Sequence, residues 1–439
     1  MVEIAPIRAL RYTSSELADL VAPPYDVIGP EQRARLGARS PHNVVHLDLP
    51  EGDGDARYAN AAALLARWRS EGVMARDQLP ALFCYEQTFE PPGGGAPRTR
   101  VGFFALVRAE PYERRAVLPH ERTLSGPKED RYRLMCTTKA ALSPVFLLYP
   151  DPDRVVAGAL SKARGHATFT TDDGIRHTLR VLADADALAT IRAHLAGVSA
   201  VIADGHHRYE TALRYAAQVD AERAAAGLAE ASPRAAHRFV LAFLAAVEDP
   251  GLAVFPTHRL LHSLPSFDWE RAAAGAAEWF EIAELGSGLD APALVARLAD
   301  AGAERPAIAA VLRDGRAYSL RLRGDRDAGT HPTLGARPAV LRTSDVVILH
   351  DVLLEGVLGV SRQAQLEQRN ITYLKDARDA VARVRGGEGD VLFLLNPTPV
   401  PLVRAVAEAG EVMPQKSTYF HPKVLTGLLV HLLDPDETV

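Results

Sequence analysis

Apolar residues recur along this chain in two rhythms. Helix signals, with alanine and leucine falling on one face, predict helices over 55–71, 153–164, 184–196, 206–223, 268–279, 291–302, 344–358, 376–385, 399–409 and 423–433. Short apolar runs bounded by turn residues predict strands over 81–89, 100–108, 199–203, 238–247, 307–312, 317–322 and 391–395, while 144–149 is an apolar run that ends at the turn Pro150-Asp151-Pro152-Asp153. The run 253–262 reads as a strand running into a loop. The first two strands flank the Gly/Pro segment 91–97 and read as a hairpin. No repeat period or low-complexity tract interrupts the mixture, so the class is α/β or α+β, with strand order left open.

Length and composition narrow the classes. At 439 residues the chain has room for two or three domains, each with its own core. No apolar run approaches the ~20 residues that span a bilayer, and the first residues lack the basic-then-apolar layout of a secretory leader. A cytoplasmic protein without membrane partners is expected. Two cysteines exclude a disulfide framework or a cysteine-rich zinc site. A net charge of −5 argues against a nucleic-acid partner, because coating phosphates needs a basic surface. Of the 50 basic residues only six are lysine, and Lys128, Lys416 and Lys423 fall inside motif segments. In an arginine-rich chain, a retained lysine points to a need for a compact ammonium.

The most informative segment is Val201-Ile202-Ala203-Asp204-Gly205-His206-His207-Arg208-Tyr209-Glu210. An apolar strand that ends in Asp-Gly and opens a helix is suited to an anion, because the first helical N–H groups are unpaired and the dipole is positive there. Gly205 allows close approach of a phosphate. His206, His207 and Arg208 add donors, and Asp204 can hold magnesium or cap the helix. Two other readings stay open: a solvated N-cap turn, or a metal site on His206, His207 and Glu210.

Leu118-Pro119-His120-Glu121-Arg122-Thr123 places a carboxylate between a histidine and an arginine, as a general base needs, although such a run taken alone reads as a solvated face. Lys416, Ser417 and Thr418 offer a cation and two hydroxyls for a phosphate or carboxylate, in a loop that lacks the glycines of a Walker A motif. The competing reading is a Ser/Thr cap for a terminal helix. His258 and Arg259, in Phe255-Pro256-Thr257-His258-Arg259, are candidates for a carboxylate, and Pro23-Pro24-Tyr25-Asp26 reads as a rigid turn.

These strings, with Met413-Pro414-Gln415-Lys416-Ser417-Thr418-Tyr419-Phe420, make nearly the whole chain resemble domain-of-unknown-function family 1015, whose name carries no function. About a third of the chain is also similar to the archaeal free-serine kinases, relatives of the ParB and sulfiredoxin fold. Asp204 to Arg208, Pro119-His120-Glu121, and Gly410-Glu411-Val412 with Pro414 to Thr418 follow their motifs in the same order. The chain departs from them in about 110 extra N-terminal residues, an insertion between roughly 265 and 365, and Tyr419 in place of a basic residue.

The resemblance implies three parts: an N-terminal extension over 1–112, a ParB/sulfiredoxin-like core over 113–265 that binds nucleotide phosphate, and a C-terminal α/β domain over 266–439 that completes the active site. It implies transfer of a phosphoryl group from ATP or ADP, with Mg2+, to the hydroxyl of free L-serine. Glu121 would be the base, with Asp204 holding magnesium. Gly205, His206, His207, Arg208, Lys416, Ser417 and Thr418 would sit on phosphates, and His120, His258 and Arg259 on the substrate. A ParB-like nucleotide-binding regulator and a kinase for another small hydroxy compound remain alternatives, and the metal site would make a hydrolase. Oligomeric state is not legible.

Overall fold

The computed structural model of the protein describes residues 1–91, 94–122 and 125–439. Thr123 and positions 92–93 of the Gly/Pro segment lie outside the described residues. Two compact units result, one of Met1–Pro119, Thr123–Leu252 and Pro422–Val439, the other of His120–Arg122 and Ala253–His421. The sequence boundaries at 112 and 265 do not coincide with this division.

In the first unit nine strands form a mixed sheet. Their order is Val117–Leu118, Ala200–Asp204, Val145–Tyr149, Phe239–Ala246, Arg98–Arg108, Leu82–Phe89, Arg176–Leu182 and Arg164–Thr170, with Ile4–Ala5 added beside Arg98–Arg108. The strands at Val117 and Ala200, and those at Val145 and Phe239, run parallel; the other pairs are antiparallel. The segments before residue 112 therefore share one sheet with those after it. Phe239–Ala246 reads Phe-Val-Leu-Ala-Phe-Leu-Ala-Ala because both of its faces are covered. One face packs Phe103, Leu147, Ile202 and Leu244 with Val156, Ile191 and Tyr209 from helices Val155–Leu160, Ala185–Leu195 and His206–Ala225. The other gathers the rings of Tyr85, Phe104, Phe146 and Phe243, with the buried Arg100 guanidinium over the last two.

The second unit is an antiparallel six-stranded sheet. The order is Phe280–Ser287, Arg316–Leu322, Ala307–Leu312, Val391–Leu395, His258–Leu261 and Ile371–Leu374. Leu294 and Leu298 of helix Ala291–Ala301, and Val381 and Val384 of Ala377–Arg385, cover one face. The helix expected over 344–358 is present as Asp345–Ile348 continued by a π-helical stretch, Leu349–Val357. Such stretches are rare and often mark functional sites. Among the described residues, no helix is long and apolar enough to cross a membrane.

The class is mixed α/β, as the rhythms indicate, and four local expectations need correction. The 153–164 helix ends at Leu160, and the hairpin Arg164–Thr170/Arg176–Leu182 follows it. Strand Phe280–Ser287 has no counterpart in the sequence reading. The 253–262 run is two strands, Ala253–Phe255 and His258–Leu261, separated at Pro256, which has no N–H to donate to a ladder. Finally, 423–433 is not a helix. Thr426 N donates to Ala22 O at 2.8 Å, Val430 N to Leu10 O at 3.0 Å, and His431–Leu432 pairs with Ala140–Ala141. Leucine spacing cannot separate a buried extended segment from a buried helix, since both are apolar all round.

Gly427 makes this path possible. Its φ is +88°, and a Cβ there would lie 2.8 Å from Val44 Cβ. Gly427→Ala is expected to destabilise the protein by about 2–5 kcal/mol, combining left-handed strain with overpacking. A helix would gain roughly 1 kcal/mol from the same change, so the sign of the shift in a urea titration tests the extended path.

Candidate functional site

In the first unit, strand Ala200–Asp204 delivers the chain to Gly205, whose φ of +92° turns it into the 20-residue helix His206–Ala225. Gly205 has no side chain with which to cap the helix, and His206 and His207 occupy its first two positions. Asp204 does not serve as a cap either. One of its carboxylate oxygens meets Lys423 Nζ and the other Arg208 Nη2. Burial acts to raise the pKa of this carboxylate. The charges of Lys423 and Arg208, with a smaller contribution from His206, outweigh burial and hold it well below the usual range.

Arg208 is a support beneath the turn rather than an outward donor. It is buried and gives a hydrogen bond to Pro144 O. A Cβ on residue 205 would lie 2.9 Å from its Cζ. Lys423 is held through its backbone: its carbonyl accepts from Gln87 Nε2 at 2.9 Å, and the preceding Pro422 O from Arg100 Nη2 at 2.6 Å. Sequence reasoning gave Lys423 no site role. Its one signal was that a lysine stands there in a chain rich in arginine.

These donors fit an anion better than a resident magnesium ion. Asp204 is committed to two cations, and Glu210 pairs with Lys128. Among the described residues no group of three His, Cys, Asp or Glu side chains could hold a metal ion. The hydrolase arrangement on His206, His207 and Glu210 is accordingly not assembled.

In the second unit, His120 to Arg122 lie alongside Met413. Met413 N donates to His120 O at 2.9 Å, and Arg122 N to Met413 O at 3.4 Å. This register brings Glu121 Oε1 to 3.0 Å from the Lys416 N–H. Lys416 is left-handed, with φ of +57°, which is uncommon for a residue with a side chain. Both its amide groups are engaged, because its carbonyl accepts from Arg259 Nη2 at 3.0 Å. Arg259 is fully buried, also donates to Thr257 O, and lies 5.3 Å from the centre of the Tyr373 ring. Burial lowers its pKa to about 10, against the opposing effects of Tyr373 and Glu121.

The remaining predicted residues have partners both near and far along the chain. Buried His120 has Nε2 2.9 Å from Thr418 Oγ1. Ser417 Oγ donates to Pro414 O at 2.6 Å, and its carbonyl accepts from Thr398 Oγ1 at 2.8 Å. Neither hydroxyl caps a terminal helix, since among the described residues no helix follows. His258 is a buried pin: Nδ1 accepts from Leu395 N at 3.3 Å, and burial, then Arg259, lowers its pKa to about 4. The structure thus gathers His120, Glu121, Lys416, Ser417, Thr418 and Arg259 in one unit, and Asp204 to Arg208 in the other.

Asp204 makes a pH prediction. Its pKa is depressed on folding, so its stabilisation is complete above the ordinary carboxylate value, near pH 4, and is lost as pH falls through the lower folded value. Asp204→Asn is expected to cost about 3–5 kcal/mol at pH 7, because Lys423 and Arg208 lose their partner. Denaturant titrations should show the gap between the two proteins narrowing below roughly pH 4.

No curated protein matches the chain. Among solved structures, a conserved hypothetical protein from Pyrococcus furiosus aligns with a TM-score of 0.35 and 14% identity, over 72% of this chain and 92% of its own. A free serine kinase in complex with AMP aligns with a TM-score of 0.35 and 14% identity, over 74% and 90%. A C-terminally truncated SbnI from Staphylococcus aureus gives 0.36 and 11%, over 75% and 87%. The family model described as protein of unknown function DUF1015 matches residues 4–347, and the chain belongs to that family.

Proposed function

We propose that the protein is a nucleotide-dependent phosphotransferase acting on the hydroxyl of a small amino acid, with L-serine as the acceptor. The observation that carries this reading is the contact between Lys416 N–H and Glu121 Oε1, at 3.0 Å. It fixes a carboxylate beside a lysine whose own backbone is held on both sides, as a base working next to an anionic donor requires. The order of the three motifs shared with free-serine kinases supports the same reading.

Within the first unit, the helix N-terminus at Gly205, His206 and His207 offers a seat for a phosphate, since N–H groups and the dipole favour an anion there. Lys423 and Arg208 offset the charge of Asp204, so that it does not repel an anion at that seat. Magnesium arrives as the counter-ion of the nucleotide substrate. The serine Oγ attacks the terminal phosphorus while the bond from that phosphorus to the nucleotide's bridging oxygen breaks. Glu121 takes the hydroxyl proton, and Lys416 offsets charge on the transferring group. Such a reaction depends on positioning and charge neutralisation more than on covalent participation.

Incubation with magnesium, L-serine and either ATP or ADP should yield O-phosphoserine, read by mass spectrometry. Glu121→Gln is expected to lower turnover by roughly 10²–10⁴-fold while nucleotide affinity measured by calorimetry stays within about twofold of wild type, a difference below ~0.5 kcal/mol. Full turnover in that variant would remove Glu121 from the base role, and absence of product with both nucleotides would discard serine.

A further inference from the structure

The second unit contains a cavity of about 120 Å³ that sequence reasoning did not anticipate. Its walls include Arg122, Arg337, Arg362, His350, Asp351 and Gln415. That volume is far below the ~300–1,000 Å³ of pockets for drug-sized ligands, so an occupant has only a few heavy atoms. Three guanidiniums face one carboxylate. Arg337 is spent on Asp351, donating through Nε at 2.6 Å and Nη2 at 2.8 Å. Arg362 is 3.7 Å from the same carboxylate and reaches Glu355 only through Nε, at 2.9 Å, while the Arg122 side chain is exposed. Among the lining side chains three guanidiniums thus stand against one carboxylate, with Glu355 and Glu411 nearby.

His350 supplies the second observation. It is 5% exposed, in the π-helical stretch, and its Nδ1 lies 2.7 Å from Gln365 Oε1. Gln365 Nε2 gives its hydrogens to the carbonyls of Val360 and His350, so its oxygen must face the ring and Nδ1 must carry the proton. His350 Nε2 is then a bare acceptor, and it has no hydrogen-bond partner among the described residues. A buried acceptor without a donor costs stability unless a ligand supplies one. The wall at Pro414 and Gln415 runs directly into Lys416, whose N–H holds Glu121.

We propose that this cavity seats the non-reacting end of the acceptor substrate, with Arg122 and Arg362 on its carboxylate and His350 Nε2 accepting from its ammonium group. The assignment rests on the phosphotransferase reading and gives the acceptor class: a small α-amino acid. A guanidinium fork matches a carboxylate in geometry as well as charge.

Calorimetric titration of the full chain with L-serine, and separately with ethanolamine, which lacks the carboxylate, tests the seat without requiring turnover. L-serine should bind and ethanolamine should not. The double variant Arg122→Gln/Arg362→Gln should weaken L-serine by at least about tenfold, the loss of one charge-assisted hydrogen bond, with ADP affinity and melting temperature unchanged. His350→Asn should weaken L-serine in the same assay. Equal binding of ethanolamine, no binding of L-serine to the wild-type chain, or undiminished binding in the double variant would overturn the seat. L-serine binding without phosphoserine formation would discard the transfer reaction and keep the seat. Phosphoserine formation with an unchanged KM in the double variant would do the reverse.

Discussion

A guanidinium removed from water must be met by oxygen atoms, and two fully buried guanidiniums in this protein are met by main-chain oxygens of Lys416 and Pro422. Buried Arg259 is met by the carbonyls of Thr257 and Lys416. Buried Arg100 is met by Pro422 O and by the Gln87 side chain. Gln87 in turn holds Lys423 O, which aims the lysine ammonium at Asp204. Burial lowers the pKa of each of the two arginines to about 10, still far above neutrality, so both remain charged and both need these carbonyls. The path of the chain over 416–423 is set by that need rather than by regular secondary structure.

The same constraint bears on the residues of the proposed chemistry. In the first unit it gives Asp204 two cationic partners, which keeps it ionised and cancels its charge beside a helix N-terminus. In the second it holds the carbonyl of Lys416 while Glu121 takes the N–H, and the residue stays in a left-handed conformation that a non-glycine residue adopts at a cost of order 1–3 kcal/mol. Under the proposed function, a carboxylate fixed by a backbone N–H would lose little orientational freedom when a substrate hydroxyl arrived. Pro414 and Gln415, just before this turn, also close one side of the arginine-lined cavity.

Much of the fold was legible because it follows from local pattern. Phe239–Ala246, Val391–Leu395 and the helix from His206 announce themselves through burial rhythm and through the Asp-Gly turn. The hairpin at 164–182 did not, because its strands carry arginines, threonines and histidines with few apolar markers. The Leu-rich end failed for the opposite reason: with neighbours on every side, its apolar residues carry no directional signal. For the site, residue types at Glu121, Lys416 and Asp204 to His207 were readable as motifs. The structural duties of Arg208 and His258 were not, since each is defined by a backbone group elsewhere in the chain: Pro144 O for one and Leu395 N for the other.

The mixed α/β class, the family strings, and the short segments that carry charge and turn chemistry could be read along the chain, because all of these are properties of neighbouring residues. It took the folded chain to show that Lys423 answers Asp204 from 219 positions away, that Lys416 fixes Glu121 across 295, and that Gln365 sets the tautomer of His350. The reason is physical. A side chain's charge state and hydrogen-bond role depend on what surrounds it after burial, and in each case the deciding partner comes from outside its own local segment.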